Sequence, residues 1–166
     1  MKKTVFLVRH AQAAEPEIDQ KDIDRPLTST GMRDAGLTGR YIFQNYENPE
    51  LIYASTADRA RSTAEIIAEQ LKYEPSAIRL EESLYEASVR TLMTLVNEVP
   101  DRYHSVLIIS HNPSLTYLAE YLSKSDVPNM KPGSICILEF EDLAWAEIGE
   151  GTGYFRVYEY PANLLE

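Results

Sequence analysis

The chain has 166 residues, 44% of them hydrophobic and 25% charged, with a net charge of −10 and one cysteine. This size suits a single domain over residues 1–166 with a substantial core, and the acidic balance speaks against nucleic acid, which binds mainly through Lys and Arg. No apolar run approaches the roughly 20 residues that cross a bilayer, and a lone Cys136 allows neither an intrachain disulfide nor a cysteine metal cluster.

The basic start, Met1-Lys2-Lys3, leads into the short apolar stretch Val5–Val8, which ends at Arg9. A signal-peptide core takes roughly 7–15 residues, so the expected location is cytoplasmic, with no membrane partner. Lys3–Val8 reads as a buried strand, and Ala11–Pro26, polar and acidic with two prolines, as a loop. Thr28-Ser29-Thr30-Gly31 offers caps for a helix over Met32–Tyr46, closed by Asn48-Pro49. Leu51–Ala54 reads as a second strand ending at Ser55. A helix follows over Asp58–Lys72, with Ala60, Ala64, Ile67, Ala68 and Leu71 on one face.

A third strand is expected over Ala77–Leu80 and a helix over Arg90–Val99, stopped by Pro100. Ser105–Ile109 is the clearest strand, and His111-Asn112-Pro113 opens a helix running to Leu122, with the proline where a first turn tolerates it. Gly133–Tyr160 alternates in the β manner on either side of the turn Gly149–Gly153, which predicts a hairpin. Strands alternating with helices imply an α/β fold: a three-layer α/β/α sandwich with a mostly parallel central sheet and a C-terminal β-hairpin.

In an open parallel sheet, ligands collect at the carboxyl ends of the strands. Three such ends here carry unusual chemistry: Val8-Arg9-His10, Ser55 through Arg59, and Ile109-Ser110-His111. Parallel strands would bring Arg9, His10, Arg59 and His111 to one sheet edge. A neutral imidazole can attack phosphorus and carry it as a covalent phosphohistidine. Arginine forks suit the spread charge of a transferring phosphoryl group, and helix N-termini add N–H donors. Taken singly, Arg59 fits a helix surface and His111 a helix cap; three matched strand ends point instead to a site. Nothing in the pattern requires a metal or another cofactor, and three histidines with one cysteine support a zinc site poorly. His104 receives no role, and the acidic runs Glu15–Asp24 and Glu139–Asp142 read as solvated surface.

Leu7-Val8-Arg9-His10-Ala11, Arg25-Pro26-Leu27-Thr28 with Gly31, Ser55 through Arg59-Ala60 to Thr63-Ala64, and Ser110-His111-Asn112-Pro113 stand in one order along nearly the whole chain. In these segments the chain resembles the histidine phosphatase, or phosphoglycerate-mutase-like, superfamily. Its small size, uncapped form and Arg-Pro-Leu-Thr loop look most like the SixA-type phosphohistidine phosphatases. The resemblance implies that His10 is the nucleophile, that Arg9, Arg59 and His111 hold the phosphoryl group, and that Gln12 and Asn112 are further substrate contacts. Ala11 replaces the family's usual glycine. For the general acid, Glu86 aligns better than Glu82, with Asp24 a rival.

An acid matters for a phosphate ester, which leaves as an alkoxide; a phosphohistidine leaves as imidazole and manages without one. The leading expectation is therefore a metal-independent phosphatase acting on phosphohistidine in a partner protein. A phosphatase of a small phosphorylated metabolite and a non-catalytic module that binds phosphorylated partners are the alternatives. A mutase needs a more enclosed site. The proton on His10 is expected to be fixed by an acceptor that sequence does not identify.

Overall fold

The computed structural model describes Met1–Leu165. Its six-stranded sheet has the order β3-β2-β4-β1-β5-β6, where β1 is Lys2–Arg9, β2 Leu51–Ser55, β3 Arg79–Glu81, β4 Ser105–Ser110, β5 Ile135–Glu141 and β6 Tyr154–Glu159. The first four are mutually parallel, while β5 and β6 form an antiparallel pair added along β1. Helices α1 (Ser29–Asn45), α2 (Asp58–Leu71), α3 (Val89–Asn97) and α4 (Ser114–Ser123) complete the three layers, and a short α5 (Pro161–Leu164) was not anticipated.

The apolar run of β1 is continuous because both sheet faces are covered. Val5 and Leu7 point into the core shared with α3 and α4. Phe6 and Val8 point into the core shared with α1 and α2. The same alternation sorts Val106 and Ile108 from Leu107 and Ile109 in β4, as a strand's two-residue side-chain period demands.

Boundaries moved where local caps intervened. The hydroxyl of Thr28 accepts from the N–H of Gly31 at 3.0 Å, so α1 starts at Ser29, not Met32. Pro75 heads a 3₁₀ turn over Pro75–Ala77, which delays β3 to Arg79. Pro113 takes the N-cap of α4, one step before the helix proper. The tail is more than a hairpin. Between β5 and β6 the chain makes an excursion in which Trp145 is fully buried, its indole N–H donating to the Tyr103 carbonyl at 2.8 Å.

Helix α1 lies close on α2 at Gly39, where a Cβ would lie 3.0 Å from the Ile67 Cα, while the buried Thr38 is turned to the loop before β5 and donates to the Gly133 carbonyl at 2.6 Å. At the start of α1, Gly31 sits against the loop that leaves β1. A Cβ there would lie 2.2 Å from the Gln12 carbonyl oxygen. Gly31→Ala must therefore push α1 or the loop aside, an overpacking that should cost about 1–3 kcal/mol. A lower thermal midpoint, read by circular dichroism, is the expected result; an unchanged midpoint would contradict the contact.

Candidate active site

β4 lies between β2 and β1, so the three strand ends singled out in the sequence are neighbours. Arg9 pairs with Ser110 in the parallel register, which places His10 and His111 at equivalent steps beyond it. The N–H of His10 donates to the Ser110 carbonyl at 3.1 Å, and the two imidazole centroids are 5.1 Å apart. Arg59, in the first turn of α2, is only 7% exposed. Its carbonyl accepts from the Thr63 hydroxyl at 2.7 Å, and that hydroxyl accepts from the Ala11 N–H at 3.0 Å. One side chain thus ties the start of α2 to the residue after His10.

Hydrogen-bond partners fix both rings. His10 Nδ1 lies 2.8 Å from the Ala11 carbonyl, which can only accept. The ring proton therefore sits on Nδ1, and Nε2 keeps its lone pair. This is the acceptor that the sequence could not identify. His111 Nε2 lies 2.8 Å from the Ser55 hydroxyl, and that oxygen already accepts from the Ala57 N–H at 3.2 Å. The Ser55 hydroxyl is fully buried and has no other acceptor among the described residues, so its proton goes to Nε2 and the His111 ring hydrogen sits on Nδ1 as a donor.

Burial, reinforced by the charges of Arg59, Arg9 and Arg25, lowers the pKa of His10 to about 4, against the opposing pull of the Ala11 carbonyl. Burial, followed by His10 and Arg59, lowers that of His111 to about 3. Both rings are neutral at physiological pH, the form a nucleophile needs. Arg9 donates from Nη1 to the Met130 carbonyl at 2.7 Å, while its Nε is buried without a protein partner. Burial also lowers the pKa of this guanidinium.

The remaining expected residues fare differently. Gln12 is exposed and its amide oxygen accepts from the Thr28 hydroxyl at 2.6 Å, so its NH₂ group is what remains for a ligand. Asn112, expected to touch substrate, is occupied by the protein. Its amide donates to Asn129 Oδ1 and the Met130 carbonyl, and its oxygen accepts from the N–H and hydroxyl of Thr116. It steadies the carbonyl that holds Arg9, leaving no donor or acceptor for substrate. Glu86 is exposed, has φ +56°, and makes no hydrogen bond or ion pair among the described residues. It follows Tyr85, whose ring meets His111 edge-on at 5.6 Å. Glu82 and Asp24 are exposed too.

One residue of the site escaped sequence reasoning. Asp22, inside the acidic run taken for solvated surface, accepts from three side chains. Oδ2 takes Tyr85 Oη at 2.6 Å and Arg59 Nη2 at 3.0 Å, and Oδ1 takes Arg25 Nη1 at 3.0 Å. These bonds, that of Tyr85 foremost, hold its carboxyl far below the usual carboxylate range, while Asp22 in turn raises the Tyr85 phenol to about 12. The only hint in the sequence was its place three residues before the Arg25-Pro26 motif.

Comparison with known proteins accords with this geometry. The family model of the histidine phosphatase superfamily (branch 1) matches residues 5–103. Phosphohistidine phosphatase SixA of Escherichia coli is 29% identical over 161 residues, 96% of this chain and 95% of that protein. An uncharacterized protein of Mycobacterium tuberculosis is 35% identical over 116 residues, 70% of each chain. The solved structure of the protein histidine phosphatase SixA complexed with tungstate superposes with a TM-score of 0.79 at 28% identity, over 98% of this chain and 99% of that one. Strand order, paired imidazoles and family match agree, and the chain belongs to the histidine phosphatase superfamily as a phosphatase.

Proposed function

We propose that the protein is a protein phosphohistidine phosphatase of SixA type that acts in the cytoplasm, uses a covalent intermediate on His10 and needs no metal. The observation that carries this reading is the His10 ring itself: neutral, with Nδ1 tied to the Ala11 carbonyl and Nε2 left as the lone pair. In the first step Nε2 forms a bond to phosphorus as the P–N bond to the substrate imidazole breaks. The electron pair of that P–N bond returns to the substrate ring, which carries a proton on its other nitrogen and so leaves as neutral imidazole. Water then attacks the phosphorus on His10, the P–Nε2 bond breaks, and inorganic phosphate departs with His10 restored in its neutral form, the proton still on Nδ1. Arg9, Arg59 and the Nδ1–H of His111 hold the equatorial oxygens, where charge develops. Support for the roles of Arg9 and Arg59 is that both charges act on the His10 ring, so both guanidiniums lie beside the nitrogen that would carry the phosphoryl group. The reading needs no metal because a side chain supplies the nucleophile and the charge on the phosphoryl oxygens is met by Arg9, Arg59 and His111.

The test is hydrolysis of a phosphohistidine-bearing protein and of a generic phosphate ester, each with and without chelator. Turnover of the protein substrate that survives chelation is expected. Loss on chelation would end the metal-free reading, and turnover of the ester alone would end the protein-substrate reading.

A second reading, a phosphatase of a small phosphorylated metabolite, draws on Glu86, whose unpaired carboxylate follows the tyrosine that flanks His111. In that reading Glu86 protonates the leaving alkoxide, a contribution typically worth 10²–10⁴-fold. Glu86→Gln should then slow ester hydrolysis by about 10²-fold or more and leave phosphohistidine hydrolysis within about twofold, since imidazole needs no such help. Equal effects on the two substrates would remove Glu86 from proton transfer. A module that only binds phosphorylated partners has no use for the lone pair kept at Nε2.

A further inference from the structure

We propose that Asp22 is the positioning residue of the phosphoryl pocket, setting the orientation of Arg59 and, through Tyr85, the flank of His111. The inference rests on the phosphatase reading of the site. Arg59 is held at two points by this single residue: Nη1 donates to the Asp22 backbone carbonyl at 2.8 Å, and Nη2 to its carboxylate at 3.0 Å. A guanidinium has five N–H groups, so three remain for an oxyanion while the plane of the fork is set by the other two. Because the Arg59 side chain is only 8% exposed, it has little room to find a different anchor.

The same carboxylate accepts from Tyr85 and from Arg25, and Arg25 is itself tied by Nε to the Ala14 carbonyl at 2.8 Å. Asp22 therefore joins the loop after β1, the first turn of α2 and the segment after β3. Its negative charge also lies between two cations, Arg25 and Arg59, that would otherwise repel each other across the pocket. Holding a guanidinium at a fixed angle matters most when the oxyanion passes through its trigonal-bipyramidal geometry, because misplacement by about 1 Å can cost 10²-fold.

The test uses the full chain and compares two probes, orthovanadate as a mimic of five-coordinate phosphorus and inorganic phosphate as a mimic of the ground state. Asp22→Asn keeps the backbone carbonyl and the size of the side chain but removes the charge. It should lower kcat by about 10–100-fold with KM changed less than about threefold, and weaken vanadate inhibition far more than phosphate inhibition. Tyr85→Phe, which removes one bond to Oδ2 and leaves Arg59 untouched, should shift the vanadate-to-phosphate ratio in the same direction by a smaller factor. Thermal melting of each variant reports folding separately. A lowered melting temperature with an unchanged vanadate-to-phosphate ratio would overturn the proposal, since that is the mark of a loop clamp. Wild-type protein that binds neither oxyanion and turns over no phosphorylated substrate would overturn the phosphatase reading, and this proposal with it.

Discussion

Replacing His10 with alanine is expected to reduce turnover by about three to six orders of magnitude, the range seen when a nucleophile is removed and the rest of its site remains. The expectation follows from the division of labour in the pocket. Arg9, Arg59 and His111 can hold a phosphoryl group without His10, so some acceleration over water would survive. What is lost is the only ring in the site whose free nitrogen lone pair is left uncommitted: His111 Nε2 is engaged with the Ser55 hydroxyl, whereas the hydrogen bond of His10 is made through Nδ1. The His10→Ala protein should also fail to form a phosphoenzyme, detected as acid-labile, base-stable phosphate on the protein after rapid quenching. His111→Gln, by contrast, should still form one, more slowly. Full activity in His10→Ala, or a phosphoenzyme carried on another residue, would defeat the covalent mechanism.

The convergence of Arg9, His10, Arg59 and His111 was readable from sequence because it depends on topology alone. Apolar runs at Val5–Val8 and Val106–Ile109 demand strands covered on both faces, and such strands, alternating with helices, run parallel. Parallel strands end on the same edge, so residues just past each run must meet. Asp22 and Asn112 could not be read in this way. Asp22 is an acid in an acidic loop, and its partners Arg59 and Tyr85 lie 37 and 63 residues further on; no periodicity encodes a hydrogen bond across such distances. Asn112 shows the opposite failure. Its place beside His111 suggested substrate, but its amide is turned toward Asn129, Met130 and Thr116, which chain order cannot reveal. Trp145 was silent for a related reason: it stands in a single 3₁₀ turn between two strands, too short to show a period, yet it is fully buried.

The acid limb of the pH profile is expected near 4 and not near the ordinary imidazole value of 6.5, because His10 must be neutral to attack and its pKa is lowered to about 4. At pH 5 the free protein should still hold most of its His10 in the reactive form, where an unshifted imidazole would be almost wholly protonated. Substrate phosphate itself titrates near pH 6, so the decisive measurement is an NMR titration of the ring in the ligand-free protein, assigned by comparison with His10→Asn. A midpoint above about 6 would overturn the account, and with it the claim that burial and three arginines govern the ring. The same shift bears on stability, and its sign can be worked out. Unfolded His10 takes up a proton as pH falls through 6.5, while folded His10 does not do so until about 4. Across that window the unfolded state binds more protons, so stability declines as pH is lowered and this contribution levels off below pH 4. A shift of this size corresponds to about 3 kcal/mol. His111, whose pKa is lowered to about 3, acts in the same direction over a window that reaches lower. His10→Asn should therefore lose less stability than the wild type between pH 7 and pH 4, by up to about 3 kcal/mol in denaturant midpoints converted to free energy. Parallel stability curves for the two proteins would mean that the ring is not desolvated, and the nucleophile would then be mostly protonated in mild acid.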